Sequence, residues 1–359
     1  MASLILKDTP QSKASPRISV AAWHSEFRVL PWLRSGHAQT LVGNFWRRQP
    51  FTLASEAIPV VVDQTNNSRV LTHCHWQPQS VRASRLTLVL LHGLEGSSNS
   101  RYITGITALA WAAGCNIIRM NMRNCGGTES WTPTLYHSAL SGDVAAVLQH
   151  FVAQQALTRV ALVGYSMGGN LVLKCAGEFG ESHPDWLRAV VGVSPVVDLA
   201  ESADALHDPQ NRLYEWHFLR NLMSRFRRKA QLFPEIYGTR SAPTVRSIRE
   251  FDDLIMAPFS GFAGADDYYY RAASARVVGK IAIPTLILHA LDDPFIRLTP
   301  ATRVLLETNP WVTLLESAHG GHCAFLGQTD IAFFPASRHW AEATLIRFLM
   351  AQVGHAHGS

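Results

Sequence analysis

Cysteine, charge and long apolar runs are all scarce in this 359-residue chain. The five cysteines, Cys74, Cys115, Cys125, Cys175 and Cys323, are odd in number, widely spaced and contain no C-x-x-C pair. Neither a disulfide framework nor a zinc knuckle is indicated, and a reducing compartment is the default. Charged residues make up only 16% against 47% apolar, and 32 Lys+Arg over 27 Asp+Glu leave a net charge of +5. A disordered chain would show the opposite balance. The basic excess is spread thinly apart from Arg225, Arg227, Arg228 and Lys229, so nucleic acid is not an expected partner. No apolar stretch reaches the ~18 residues of a membrane span. Leu4-Ile5-Leu6, closed at once by Lys7 and Asp8, is too short for a signal-peptide core. The expectation is a soluble cytoplasmic protein.

What the chain does contain is an alternation. Residues 86–91, 116–120, 159–163, 188–193, 284–289 and 311–315 are short, nearly continuous apolar runs, the pattern of strands buried on both faces. Residues 102–113, 139–155, 169–179, 300–308 and 338–352 carry a helical period between and after them. That order predicts an α/β fold with a mostly parallel, doubly wound sheet and helices on both faces. Upstream, 58–62 and 69–76 would begin the sheet in antiparallel fashion. The rhythm breaks after Pro195: until about Ile281 no buried-strand pattern appears, while 213–228 and 245–254 are amphipathic. An insertion of that length needs helices of its own. The expected division is an N-terminal extension (1–57) packing on a core (58–195 and 281–353), a helical cap (196–280) over the strand ends, and a frayed tail (354–359).

The chemistry centres on Gly164-Tyr165-Ser166-Met167-Gly168, which follows one predicted strand and opens a helix. In that context G-x-S-x-G marks a nucleophile on a strained strand-to-helix turn. A serine hydroxyl needs a base to take its proton and a group to orient that base. Both follow in the chain order Ser, acid, His. Asp292-Asp293-Pro294 comes just past the end of one predicted strand, and His319-Gly320-Gly321-His322 past the next. Asp293, immediately before Pro294 and the apolar Phe295 and Ile296, is the favoured acid, with Asp292 as a turn cap. His322, brought close by the two glycines, is the favoured base, with His319 as a loop histidine. The oxyanion donors would be the backbone N–H groups of Met167 and of Leu94 in the loop His92-Gly93-Leu94-Glu95-Gly96.

The same residues resemble the YheT-like branch of the α/β hydrolases, similar to the animal ABHD one-to-three group. The resemblance runs over nearly the whole chain. Besides the motifs above it includes Arg34-Ser35-Gly36-His37-Ala38-Gln39-Thr40-Leu41, Tyr102, Tyr136-His137-Ser138, Glu250-Phe251-Asp252-Asp253 with Ala257-Pro258, Gly261-Phe262 and Asp267-Tyr268-Tyr269. It implies an α/β-hydrolase fold and a Ser166, Asp293, His322 triad acting on carboxylic esters, since relatives hydrolyse acylglycerols or phospholipids. Asn124 stands where the family pattern has Gly, which puts the local turn in doubt.

The function expected is therefore a cofactor-independent serine esterase acting through an acyl-enzyme on short- to medium-chain acyl esters or acylglycerol-like lipids. Transfer of the acyl group to an alcohol is the alternative, and a non-catalytic binding protein on the same fold a third reading. No protein partner is implied. His73 and His75 share one face of a predicted strand, but no third metal ligand is placed, and an exposed edge strand explains them as well. The acidic Glu250, Asp252 and Asp253 read as structural. Asp267 to Tyr270 could line a substrate passage, though packing of the cap explains them too. The basic and apolar segment from Phe218 to Phe233 could touch an anionic membrane surface or form a solvated cap helix.

Overall fold

The computed structural model describes residues 26–46, 48, 51–238, 243–328 and 338–354. The first 25 residues and most of the predicted tail lie outside them. Eight strands form one sheet: β1 (Glu56–Asp63), β2 (Ser68–His75), β3 (Thr87–Leu91), β4 (Asn116–Met120), β5 (Val160–Tyr165), β6 (Leu187–Val193), β7 (Thr285–Ala290) and β8 (Val312–Ser317). Their order across the sheet is β1-β2-β4-β3-β5-β6-β7-β8. β1 and β2 pair antiparallel, β2 meets β4 antiparallel, and all remaining pairs are parallel. β3 to β7 are entirely buried except at Arg188, as their unbroken apolar runs require of strands covered on both faces.

Two cores follow. On one face, Val144, Leu148 and Phe151 of α3 (Ser141–Gln155) and Leu171 and Val172 of α4 (Met167–Phe179) pack on the sheet. On the other lie Ile103 and Ile106 of α2 (Arg101–Ala112) with Trp340 and Leu345 of α9 (Trp340–Gly354). Each fully buried aliphatic or aromatic side chain contributes about 1.5–3 kcal/mol. The fold thus rests on the sheet's two faces, and its strand ends are left to carry loops.

Between β6 and β7 the chain leaves the sheet. It forms α5 (Leu199–Leu206), α6 (Arg212–Leu232), a bent stretch and α7 (Ala265–Ala272). The bent stretch joins Ile248–Phe251 to Ala257–Ser260 through a π-helical turn at Asp252–Met256. These elements build a third core from Leu206, Leu222, Phe226, Phe251, Ile255 and Tyr268, shared with Phe295 and Ile296 of the loop after β7. Near the N-terminus, α1 (Gly36–Phe45) is capped by Ser35, whose hydroxyl accepts from the Ala38 N–H. α8 (Pro300–Thr308), capped by Thr299 with Pro at its first position, leads into β8.

One sequence expectation fails. β2 pairs on both sides and is no edge strand, so exposure does not explain His73 and His75. His75 is buried against the ring of Phe51, and His73 Nδ1 lies 3.0 Å from Ser55 Oγ.

Candidate active site

Sheet register brings the chemistry together. Leu91 at the end of β3 is level with Gly164 in β5, and Ala290 at the end of β7 with Ser317 in β8. The loops that leave these strands therefore emerge at one edge, the carboxyl end of the parallel strands. Ser166 sits between β5 and α4 with φ 53° and ψ −118°, a conformation that a side chain adopts only under strain. The flanking glycines are required by contact. A Cβ on Gly164 would lie 2.1 Å from the Gly168 carbonyl oxygen, and one on Gly168 2.4 Å from that of His92.

Asp293 has a side chain with no exposure and accepts three hydrogen bonds. Its Oδ1 takes the N–H groups of Phe295 (3.1 Å) and Ile296 (3.0 Å), and its Oδ2 lies 2.9 Å from His322 Nδ1. Burial alone would raise its pKa, but His322 and the backbone donors outweigh burial and hold the carboxyl below its usual range. For His322, burial opposes the imidazolium. Cys323 and Asp293 outweigh it, and the pKa moves up. With Nδ1 committed to Asp293, Nε2 is the atom free for chemistry, and Cys323 Sγ lies 3.7 Å from it.

The neighbouring pair is arranged differently. Asp292 Oδ1 accepts the Gly321 N–H at 2.8 Å, while its Oδ2 is 3.5 Å from His319 Nδ1, too far for a good hydrogen bond. Asp292 shapes the turn that delivers His322.

The loop after β3 is pinned on both sides of Leu94. The Gly93 N–H donates to Tyr102 Oη (2.9 Å) and the Glu95 N–H to Tyr136 Oη (3.2 Å), while the Tyr136 hydroxyl donates to Glu95 Oε1 (2.5 Å). Gly93 packs so closely that a Cβ there would sit 3.1 Å from Ser166 Cβ. Met167 is the first residue of α4, where N–H groups lack an acceptor within the helix. Leu94, Met167 and Ser166 all line a narrow pocket of about 100 Å³ roofed by the inserted helices.

The alpha/beta hydrolase fold family matches residues 87–329. The putative esterase YheT of Escherichia coli (strain K12) is 32% identical over 311 residues, covering 85% of this chain and 88% of the relative. The chain belongs to the YheT-like branch of the α/β hydrolases. Phospholipase ABHD3 of Mus musculus is 30% identical over 77% of this YheT-like chain and 66% of its own length. Monoacylglycerol lipase of Saccharomyces cerevisiae is 26% identical over 73% and 58%. An esterase of Pyrococcus furiosus superposes at TM-score 0.55 with 16% identity over 86% of this chain and 97% of that one, a likeness of fold alone.

Several residues of this YheT-like hydrolase around the site had no role in the sequence reading. Thr40 Oγ1 accepts the His322 N–H at 2.8 Å and donates to the Gly36 carbonyl at 2.7 Å. Gln39 closes both backbone groups of Leu326 at 2.9 Å each. The Arg34 to Leu41 motif thus braces the loop that carries His322. Asn170, one turn into α4, donates to the carbonyls of Ser138 and Ala272 and accepts from the Ser274 N–H, tying the inserted helices to the serine helix.

The basic cluster also differs from expectation. Arg225 forms an ion pair with Glu95 of the pinned loop at 3.0 Å, and Lys229 is buried, donating to Asn124 Oδ1 and the Glu129 carbonyl. For these two residues the reading as a solvated or membrane-facing surface does not hold: they fasten the insertion to the core. Leu222, Met223 and Phe226 point inward as well. Asn124 itself adopts φ 64°, the left-handed conformation that Asn tolerates best after Gly, which resolves the departure from the family pattern. Among the described residues no helix is long and apolar enough to cross a membrane, and no group of three potential metal ligands forms.

Proposed function

We propose that this protein is a serine hydrolase of carboxylic esters that works through an acyl-enzyme. The observation that carries the proposal is the buried Asp293 to His322 Nδ1 contact at the same strand-end edge as the strained Ser166 turn. Relatives named as an esterase, a phospholipase and a monoacylglycerol lipase support ester chemistry. In this reading His322 Nε2 takes the Ser166 proton as Oγ attacks the ester carbonyl. The Leu94 and Met167 N–H groups receive the oxyanion, and the proton then passes to the leaving alcohol. Water, activated by the same base, releases the acid.

The direct test is fluorophosphonate labelling with peptide mapping. Label is expected on the peptide carrying Ser166, together with turnover of p-nitrophenyl esters. A folded protein that takes no label and turns over no ester would end the proposal.

The brace on the base loop yields a second expectation. Thr40→Val leaves the His322 N–H without its acceptor, a defect worth about 1–3 kcal/mol. Because it displaces the base rather than the substrate, kcat should fall about tenfold or more with KM within about twofold. Thr40→Ser should restore kcat. An unchanged kcat in the Val variant would show that the loop holds itself.

A further inference from the structure

We propose that the pocket beneath the inserted helices receives the acyl part of the ester and that Asp252 reads a hydroxyl on that acyl chain, making hydroxyacyl esters the preferred substrates. The inference rests on the serine-hydrolase reading and adds the substrate class to it. Three observations lead there.

The first concerns which half of the ester enters the pocket. The pocket is lined by Ser166 and by both expected oxyanion residues, Leu94 and Met167, but not by His322. The leaving alcohol must lie near His322 Nε2, which hands it a proton. We place the acyl chain in the pocket, beside the oxyanion residues, and the alcohol on the His322 side.

The second concerns the pocket wall. Most of it is apolar, with Val196, Leu206, Leu222, Phe251, Met256 and Phe295 among its residues. Asp252 interrupts it. Its carboxyl is buried, and its Oδ2 accepts the Tyr269 hydroxyl at 2.7 Å. A carboxyl offers about four lone-pair positions, so one phenol leaves acceptor capacity facing the pocket. The Arg249 guanidinium, whose charge reaches this carboxyl, forms its ion pairs with the exposed Asp204 and Asp266. Neither oxygen of Asp252 is sealed off without a partner, so its remaining acceptor positions are open to the pocket, where water or a ligand can bond to them. A substrate hydroxyl would supply that bond.

The third concerns backbone. Asp252 opens the π-helical turn Asp252–Met256, an irregularity that is uncommon in helices and concentrated at functional sites. Burial also pushes the Asp252 carboxyl up to about 7, against the pull of Tyr269 and Arg249. Partly protonated, it can donate as well as accept, which suits a neutral hydroxyl better than a cation.

The test compares methyl hexanoate with its positional hydroxy isomers on the wild type and on Asp252→Leu, a substitution of similar shape without hydrogen bonds. A site built to bond a hydroxyl discriminates strongly against its absence, so at least one isomer should exceed the parent ester by about tenfold or more in kcat/KM. Asp252→Leu should erase that preference, bringing kcat/KM for the favoured hydroxy isomer and for methyl hexanoate to within about threefold of each other. A wild type that turns over all esters equally would overturn the inference while sparing the hydrolase reading. Equal loss on every ester in Asp252→Leu would likewise overturn it, assigning Asp252 to cap structure. If no ester were turned over, the hydrolase reading itself would fall. Should Asp252→Leu not fold, the wild-type isomer series decides alone.

Discussion

Ser166→Ala is expected to lower kcat for p-nitrophenyl esters by about 10⁴–10⁶-fold, with fluorophosphonate labelling lost and the folded structure kept. The substitution removes one oxygen and little else. Alanine meets the same positive φ that serine already tolerates at this turn, so the backbone strain is unchanged to first order. The glycines that let β5 and α4 approach are untouched, as is the contact between Asp293 and His322. Residual turnover, if any, would come from the oxyanion amides and from binding in the pocket, which survive the change. Near-normal turnover would mean that another nucleophile acts. Circular dichroism and thermal unfolding of the variant separate lost chemistry from lost fold.

The contrast between what the sequence disclosed and what it hid follows from contact range. β4 spans the predicted 116–120, and α8 the predicted 300–308, because buried apolar runs and a capped helix are local signals. α4 begins two residues before the predicted helix, at Met167, since the strained residue is Ser166 alone. Strand order was not legible: β3 lies between β4 and β5 through pairings that no periodicity encodes. The same holds for the supports of the site. Thr40 is 282 residues from His322, and Arg225 is 130 from Glu95. A threonine in a helix and an arginine in a basic cluster carry no local mark of such partners. Asp252 was hidden in another way: the acidic cluster reads as structural throughout, and only the fold separates Glu250 and Asp253, which accept backbone N–H groups, from Asp252, which lines the pocket. Ser166, Asp293 and His322 stand out as candidates in the sequence because the chemistry proposed for them demands a chain order and strand-end positions, and both are local features.

Within the paired candidates, Asp293→Asn should cost about 10⁴-fold in kcat, whereas Asp292→Asn should stay within about threefold. An amide at 293 presents its NH₂ or its carbonyl to His322 Nδ1, and the N–H tautomer that leaves Nε2 basic loses its charged partner. An amide at 292 still offers Oδ1 to the Gly321 N–H, the bond that shapes the turn. The pH profile gives an independent sign. His322 must be neutral to accept a proton, and its raised pKa keeps it protonated to higher pH than the ordinary value of about 6.5. The wild-type rate should therefore climb through an acid limb displaced above that value. Removing the Asp293 carboxylate removes one of the charges that raise the pKa, so the residual activity of Asp293→Asn should show the limb at lower pH. Asp292→Asn should leave it in place. If Asp292→Asn were instead the crippling change, and moved the limb, the acid would be Asp292 and its base His319, drawn in from the present 3.5 Å.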